Sequence, residues 1–258
     1  SIGFIYDLGF LHFPDAYPGS YDSLKNQTEN LVKRADHIVT ISHTTEQDLI
    51  ERYSVSKSRM SVCYPGISSQ FIVSQNRLKS ERQHFLFVGA LKRGKNIPVL
   101  LEAFAQFLSK AKKECDLYLV GGNYWFDPAI DETISRLSLN NRVKFLGVVP
   151  DEKLASFYRG ALALIVPSLW EGFCLPVTEA MASGCPVIVS DGGSLPEIAG
   201  DAGIIVHGNT PEAYASTMRR VAVDNAFRKE CQKKGLARSK LFSWETMARD
   251  VSGIINLV

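Results

Sequence analysis

From residue 84 to residue 191, short apolar runs alternate with segments of helical spacing. The first run, HFLFVGAL, is apolar almost throughout instead of at every second position. Such runs are typical of strands covered on both faces of a parallel sheet. Similar runs occupy residues 116–122, 143–149, 162–168 and 186–191, and the segments between them predict helices over 96–113, 128–139, 151–161 and 176–183. This alternation predicts an α/β fold with a Rossmann-like, doubly wound parallel sheet.

Residues 1–72 predict a second, smaller unit of the same class. Strands are expected in IGFIYD, HIVTIS and RMSVCYPG, with helices between them. A complete sheet has about five or six strands, so we expect a partial N-terminal Rossmann-like domain and a sequence that is a fragment of a longer chain. The polar stretch 73–83 is expected to be a linker, residues 84–242 the main domain, and residues 243–258 an amphipathic C-terminal helix.

The charge and cysteine content argue against several classes of protein. Lys and Arg number 29 against 27 Asp and Glu, a net charge of +2, which is too balanced for a nucleic-acid partner bound mainly through phosphates. The five cysteines include no C-x-x-C pair, which argues against a disulfide framework or a zinc site and favours the reducing cytoplasm. No apolar run approaches the roughly eighteen residues that span a bilayer, which leaves peripheral membrane contact open.

The stretch WEGFCLPVTEAMASGCP places two carboxylates, Glu171 and Glu179, around a turn that opens a helix. Pro176 suits the first helical turn because its missing N–H would have no partner there. The amides of residues 173–177 concentrate partial positive charge, which suits an anion, and the carboxylates could accept hydrogen bonds from sugar hydroxyls. The alternative is that Glu179 only offsets the helix dipole and Glu171 is solvated, because acids near helix starts are common.

A second motif, VGALKRGKN, leads from the first strand of the main domain into a helix. It carries Lys92, Arg93 and Lys95 within four residues. Ligands of doubly wound sheets bind at the carboxyl ends of the strands, where these cations could neutralise a diphosphate. The alternative is an ordinary solvated basic turn. The two motifs together favour a ligand site, because loops at this edge can converge on one crevice.

These motifs carry a resemblance to a known family. FVGALKRGKNIPVLLEAF, VKFLGVVPDEKLASFYRGA and PSLWEGFCLPVTEAMASGCPVIVSDGGSLPEIAGDAGIIV resemble the C-terminal domain of the family 4 retaining glycosyltransferases, which have the GT-B fold. ADHIVTISHTTEQDLIERYSVSKSRMSVCYPGIS resembles the end of the N-terminal, acceptor-side domain of that family. The resemblance covers nearly the whole chain and the last two-thirds of a complete enzyme. It implies that residues 243–258 cross back toward the N-terminal domain.

The resemblance implies transfer of a hexose from a nucleotide-diphosphate sugar to a glycan, lipid-linked or small-molecule acceptor. GDP-mannose and UDP-sugars both fit as donors, with a preference for mannose. Glu171, Lys95 and Arg93 would be catalytic, because Lys95 matches the diphosphate lysine of the family and Glu171 the residue that contacts the sugar. The nucleotide and donor would be bound by Glu179 at the ribose, by the amides around Phe173, Cys174 and Leu175, and by main-chain contacts of Gly147 and Val148 to the base.

The sequence departs from the family pattern at several positions. Ala90 and Gly94 stand where an arginine is frequent, and Arg93 is the expected substitute. Cys174 replaces a frequent glycine. Tyr6 stands where relatives often have a histidine beside the reacting sugar, and is the expected acceptor-side residue. Glu197 matches an acid of the family, although a role at a helix start fits it equally well.

No D-x-D motif occurs, so we expect a metal-independent transferase without a cofactor, in which cationic side chains stabilise the leaving diphosphate. Two alternatives stay open. One is a nucleotide-sugar-binding module without transferase activity, and the other is a GT-B-like nucleotide-sugar epimerase. The sequence carries no signal for the pyridoxal-phosphate lysine of a phosphorylase, and it does not determine the oligomeric state.

Overall fold

The chain folds around two separate parallel β-sheets. A computed structural model describes residues 1–17, 19–72, 83–111, 114–123 and 127–256. The first sheet has the order β1-β2-β3, with β1 Ile2–Ile5, β2 His37–Thr40 and β3 Met60–Val62. The second has the order β6-β5-β4-β7-β8-β9, with β4 Gln83–Val88, β5 Cys115–Val120, β6 Val143–Gly147, β7 Leu164–Val166, β8 Val187–Ser190 and β9 Gly203–Val206. Every strand pair is parallel.

Helices connect the strands of both sheets. Around the first sheet lie α1 Gly9–His12, α2 Tyr21–Arg34 and α3 His43–Tyr53. Around the second lie α4 Ile97–Lys110, α5 Ala129–Arg136, α6 Asp151–Gly160, α7 Leu175–Ala182, α8 Leu195–Ala199, α9 Pro211–Val223 and α10 Asn225–Arg238. The last helix, α11 Trp244–Ile255, returns to the first sheet. The start of α3 is fixed by Ser42, whose hydroxyl accepts a hydrogen bond from the amide of Thr45, and the start of α11 by Ser243 and the amide of Thr246. Such side-chain caps satisfy amides that a helix leaves without a partner.

The apolar runs form the core of the second sheet, with helices on both of its faces. Phe85 and Phe87 belong to the apolar cluster on one face, and Leu86 and Leu164 to the cluster on the other. A strand buried on both faces needs apolar residues at consecutive positions, which explains why the sequence shows no alternation there. The expected α/β fold with doubly wound parallel strands is therefore confirmed.

The order of the second sheet creates a topological switch point. The chain runs from β4 outward through β5 to β6, then returns to add β7 on the other side of β4. The loops that follow β4 and β7 therefore leave the same edge of the sheet side by side, from adjacent strands that wind in opposite directions. A crevice at this place is where doubly wound sheets bind their ligands.

The three strands expected in residues 1–72 are present, as β1 to β3. Helix α11 lies against this first sheet, where Ile254 packs in one apolar cluster with Val39 and Cys63. Of the expected linker 73–83, residues 73–82 lie outside the described residues and Gln83 is already the first residue of β4. Strand β9 was not expected, because it has only four residues, of which only Val206 is buried.

Candidate active site

An ion pair joins the loops after β4 and β7. Lys95 Nζ lies 2.5 Å from Glu171 Oε1, and the hydroxyl of Ser168 donates to the same carboxylate oxygen at 2.6 Å. The main chains are also linked, because the amide of Leu169 donates to the carbonyl of Gly94 at 3.0 Å. The two side chains of the pair are only 19% and 12% exposed. Two residues that are 76 positions apart in the sequence thus form one partly buried polar centre.

The pair keeps Lys95 charged. Burial alone would lower the pKa of its ammonium group, but the attraction of the Glu171 carboxylate outweighs this effect and raises the pKa of Lys95 above its ordinary value. An opposite charge within a few ångströms favours the charged form of an ammonium group. A fixed cation therefore lies at the switch point, within the crevice.

The loop around Glu171 is held from behind by the segment after β8. Both the amide and the hydroxyl of Ser194 donate to the carbonyl of Glu171, at 2.9 and 3.0 Å. The hydroxyl of Ser190 donates to the carbonyl of Ser168 at 2.6 Å. These bonds fix the main chain on both sides of Glu171, so its carboxylate is positioned before any ligand arrives.

Helix α7 begins at the end of this loop. Cys174, immediately before it, adopts the left-handed conformation with φ 76° and ψ 75°, a region that favours glycine. Phe173 is buried, Cys174 is half-buried and Leu175 is 40% exposed. Burial raises the pKa of the Cys174 thiol, so this thiol is neutral. The first amides of α7 lie beside the ion pair in sequence and carry the partial positive charge of a helix start.

Glu179 lies one turn inside α7 and bonds to α6. The hydroxyl of Tyr158 donates to Glu179 Oε2 at 2.9 Å. Burial raises the pKa of Glu179, and the hydrogen bond from Tyr158 opposes this shift. The phenol fixes one carboxylate oxygen and leaves the acceptor capacity of the other for a ligand. Tyr158 was not among the expected site residues, although its place in α6, next to the predicted base-binding loop, could have suggested it.

Gly147 and Val148 line a cavity at the end of β6. Its volume is about 420 Å³, and its other lining residues are Leu91, Gly121, Gly122, Asn123, Asp131 and Phe145. Val148 is 77% exposed and Phe145 46% exposed, so apolar surface faces an open site. The amide of Gly121 donates to the carbonyl of Gly147 at 2.9 Å, which fixes the mouth of the cavity.

The N-terminal unit approaches the Glu171 loop closely. An added Cβ on Gly172 would lie 2.2 Å from the carbonyl oxygen of Tyr6 and 2.4 Å from Cβ of Asp7, so only glycine permits this contact. Tyr6 itself is 63% exposed. Asp7 Oδ1 accepts a hydrogen bond from the amide of Gly9 at 2.9 Å. The end of β1 therefore forms the opposite side of the crevice from Lys95 and Glu171.

Tyr17 and Trp170 extend the contact between the two units. Burial raises the pKa of Tyr17 to about 12, and the nearby carboxylates of Asp7 and Glu171 add to this shift. The ring of His12 stacks on Trp170 with centroids 3.5 Å apart, and its Nε2 lies 2.8 Å from Asp48 Oδ1. No sequence pattern predicts this stack, because its partners lie in two units whose packing no local periodicity encodes.

Arg93 lies outside the ion pair. It is exposed and lines a cavity of about 870 Å³ between the two units, together with Asp15, Tyr17, Lys92 and Asp127, among other residues. Arg93 and Lys95 both belong to one short 3-10 helix, and residues two apart in such a helix point to different sides because it has three residues per turn. We expected Arg93 and Lys95 to lie at the same anion. Their closeness in sequence is not sufficient to place both side chains there.

The structure thus brings Lys95, Glu171 and the start of α7 together, with Glu179 in the first turns of α7 and the Gly147–Val148 cavity at the end of β6. Within the described ranges, no three or more His, Cys, Asp or Glu side chains are grouped to hold a metal ion. None of the helices in the described part of the chain is long and apolar enough to cross a bilayer.

Comparisons with known proteins identify the family of the chain. Residues 68–238 match the family model described as Glycosyl transferases group 1, and residues 5–71 match the one described as Glycosyltransferase Family 4. An O-antigen chain mannosyltransferase B from Escherichia coli is 29% identical over 252 residues, which cover 93% of this chain and 66% of the relative. A D-inositol 3-phosphate glycosyltransferase from Corynebacterium kroppenstedtii is 30% identical over 244 residues, 88% of this chain and 54% of that relative.

Solved structures show the same fold. A sucrose-phosphate synthase from Thermosynechococcus elongatus superposes with a TM-score of 0.84 at 25% identity, over 99% of this chain and 67% of that one. Anabaena HepE in complex with UDP and glucose gives a TM-score of 0.86 at 18% identity, over 100% of this chain and 71% of that one. These likenesses confirm the expected GT-B type of fold. The chain spans 66% and 54% of the lengths of the two curated relatives.

Proposed function

Because the chain belongs to the family of group 1 glycosyl transferases, whose model matches residues 68–238, we propose that it transfers a hexose from a nucleotide-diphosphate sugar with retention at the anomeric carbon. The observation that carries the proposal is the ion pair of Lys95 and Glu171 at the switch point. It sets a fixed cation, a fixed carboxylate and a helix N-terminus around one crevice, which together match a diphosphate joined to a sugar.

In the proposed reaction the bond between the anomeric carbon and the diphosphate oxygen breaks, and a bond to the acceptor oxygen forms on the same face. The acceptor proton passes to the leaving diphosphate. Negative charge therefore grows on the diphosphate, where Lys95 and the first amides of α7 stabilise it. Stabilisation of charge that develops only in the transition state is what accelerates a reaction. Because Lys95 supplies positive charge, the proposal needs neither a divalent metal nor a cofactor.

The carboxylates have different roles in this proposal. Glu171 accepts hydrogen bonds from hydroxyls of the transferred sugar and orients it, while Lys95 and Ser168 hold the carboxylate in place. Glu179 accepts hydrogen bonds from the ribose, positioned by Tyr158. The base occupies the cavity at Gly147 and Val148, whose exposed apolar surface suits a planar ring. The amides around Phe173, Cys174 and Leu175 face the diphosphate and the sugar.

In the proposal Tyr6 belongs to the acceptor side, and Arg93 is a second cation beside Lys95. Tyr6 lies at the end of β1, across the crevice from Glu171, where an exposed phenol can hydrogen-bond to a hydroxyl group. Arg93 lines the cavity between the two units and can meet an anionic part of either substrate there. In the proposed enzyme it assists Lys95 from outside the ion pair.

The preferred sugar is mannose. The Escherichia coli relative is named as an O-antigen chain mannosyltransferase, which supports GDP-mannose as donor. HepE was solved with UDP and glucose, so a UDP-sugar is the second candidate. We propose a carbohydrate or lipid-linked acceptor, a cytoplasmic location and peripheral contact with a membrane that carries the acceptor. Free cysteines, four of them buried, fit a reducing compartment.

The experiment is a thermal-shift panel of nucleoside diphosphates and nucleotide sugars on the full-length protein, followed by a product assay with the donor that binds. The proposal expects one base to stabilise the protein and a glycosylated product whose anomeric configuration equals that of the donor. An inverted product would disprove retention. Absence of stabilisation by every nucleotide would disprove the donor site.

A nucleotide-sugar-binding module without transferase activity is the second candidate. The observation that favours it is the exposed Tyr6 at the place where relatives often have a histidine. This candidate predicts donor binding without product for every acceptor tested, and a nucleotide-sugar epimerase predicts an altered sugar on the same nucleotide. The product assay separates all three.

A further inference from the structure

Glu197 joins the two units of the chain through both of its carboxylate oxygens. It lies on α8, on the side of the second sheet. Its Oε1 accepts hydrogen bonds from the amide of His43 and the hydroxyl of Tyr64, each at 2.8 Å. Its Oε2 accepts from the amide of Thr44 at 3.0 Å and from the hydroxyl of Thr44 at 2.9 Å. All four donors belong to the N-terminal unit, at least 133 positions away in the sequence.

The bonds to His43 and Thr44 complete the start of α3. The first amides of a helix have no partner within the helix and carry partial positive charge. Ser42 of the same chain segment satisfies only the amide of Thr45, and Glu197 takes the two amides before it. A carboxylate that accepts from amides at a helix start forms charge-assisted bonds, which are stronger than neutral ones.

Helix α8 is itself fixed from the other side. Arg238 on α10 donates to the carbonyls of Glu197 and Ile198, at 2.5 and 2.6 Å. Tyr64 is held by its hydrogen bond to Glu197 and by an edge contact with the ring of Phe242. Burial and the Glu197 carboxylate raise the pKa of its phenol, so it stays protonated as a donor. We call the hydrogen bonds of Glu197 to α3 and Tyr64 the clamp. Hydrogen bonds thus fix both the helix that carries Glu197 and the groups that it binds.

The clamp is connected to the Glu171 loop by two routes. Ser194, directly before α8, binds the carbonyl of Glu171 through its amide and its hydroxyl. The ring of Tyr64 packs against Phe173, two residues after Glu171, with centroids 6.0 Å apart. Tyr64, which binds Glu197, and Ser194, which precedes the helix that carries Glu197, thus both contact the loop that carries Glu171.

We propose that Glu197 is a positioning residue for the transfer reaction. It holds the N-terminal unit against the Glu171 loop, so that an acceptor bound on that side of the crevice is aligned with the donor sugar. The inference rests on the proposed function of Glu171 as the residue that orients the sugar. Transfer depends on this alignment, since displacements of about 1 Å of a reacting group can cost on the order of a hundredfold in rate. Nucleotide binding does not depend on this alignment, because Glu179 and the base cavity lie in the second unit alone.

The first test measures the clamp without any activity. Backbone amide hydrogen exchange is followed at His43 and Thr44 in the full-length protein, for the wild type, Glu197→Ala and the control Glu212→Ala. Glu212 is a matched control because it accepts an exposed hydrogen bond from Gln106 within the second unit. The inference expects faster exchange at His43 and Thr44 in Glu197→Ala only, by about tenfold for the loss of a charge-assisted bond. Unchanged exchange in this variant would overturn it.

The second test separates positioning from stability with Tyr64→Phe, which keeps the ring packing and removes only the hydroxyl donor. We expect kcat to fall by about tenfold, with an unchanged affinity for nucleoside diphosphate and a thermal midpoint close to that of the wild type. A purely structural role would lower kcat, affinity and midpoint together, and a silent variant would equally overturn the inference. If the wild type transfers no sugar, the proposed function fails, while the exchange experiment still decides on the clamp.

Discussion

Lys95 Nζ and Glu171 Oε1 lie 2.5 Å apart, and the hydroxyl of Ser168 completes the contact on the carboxylate. The pair exists because β4 and β7 are neighbours in the sheet although two strands lie between them in the sequence. It gives the crevice a cation that is fixed before a ligand binds. A preorganised charge needs no rearrangement during the reaction, which makes it more effective than a mobile one.

Lys95→Met is expected to weaken the binding of nucleoside diphosphates much more than that of the parent nucleosides, because only the diphosphate meets the ammonium group. It also leaves a Glu171 carboxylate that is only 12% exposed without its partner, which should lower the free energy of unfolding by about 3 kcal/mol. Calorimetric titrations and urea denaturation measure the two effects. Lys110→Met, the same charge change at the exposed end of α4, is the control. Equal losses for diphosphate and nucleoside would contradict the assigned role.

Gly172→Ala is expected to impair transfer without loss of nucleotide affinity. The new Cβ would lie 2.2 Å from the carbonyl oxygen of Tyr6, so the N-terminal unit has to move away from the Glu171 loop. We expect kcat to fall by about a hundredfold, with the dissociation constant for nucleoside diphosphate unchanged. Gly253→Ala is the control, since an added Cβ there meets open space. A fully active Gly172→Ala protein would show that the close approach is dispensable.

Substitutions of Cys174 test whether the left-handed backbone conformation at the start of α7 limits which side chains fit there. Because its φ is 76°, β-branched side chains should be strained there, whereas glycine adopts this conformation freely. Cys174→Val is expected to lower the free energy of unfolding by about 2 kcal/mol, and Cys174→Gly to change it by less than about 1 kcal/mol. Urea denaturation of both variants gives the ranking. The reverse order would mean that side-chain packing dominates over the backbone at this position.

The buried His84 is expected to make the free energy of unfolding depend on pH. It is fully buried on β4, its ring stacks on Tyr118 with centroids 4.3 Å apart, and burial lowers its pKa below the ordinary value of 6.5. As the pH falls below 6.5, the unfolded chain takes up a proton that the folded protein resists, so the free energy of unfolding decreases. His84→Phe should flatten this decrease, and the exposed His207→Gln should not. Identical slopes for wild type and His84→Phe would contradict the prediction.

The sequence predicted strands β4 to β8 of the second sheet and the loops that carry the candidate site, because strands buried on both faces leave continuous apolar runs. It did not predict that the β4 and β7 loops meet in an ion pair, since strand order depends on packing over the whole domain. Arg93 shows the same limit at short range. It lies two residues from Lys95, yet it lines a cavity between the two units in which Lys95 takes no part.

The contacts between the two units were the least predictable part. The stack of His12 on Trp170 and the bonds of Glu197 to α3 and Tyr64 join distant segments. No periodicity or motif encodes such contacts. Glu197 could be recognised as an acid at a helix start, but only the structure shows that the helix it caps belongs to the other unit.

The donor site itself is tested most directly by calorimetric titration of GDP and UDP into the full-length wild type, Glu179→Ala and Glu171→Ala. In the proposal Glu179 would accept hydrogen bonds from the ribose, whereas Glu171 would face the sugar, which a nucleoside diphosphate lacks. We expect Glu179→Ala to lose about a hundredfold in affinity, and Glu171→Ala to keep most of its affinity while it loses transfer from the nucleotide sugar. Unchanged affinity in Glu179→Ala would contradict the account.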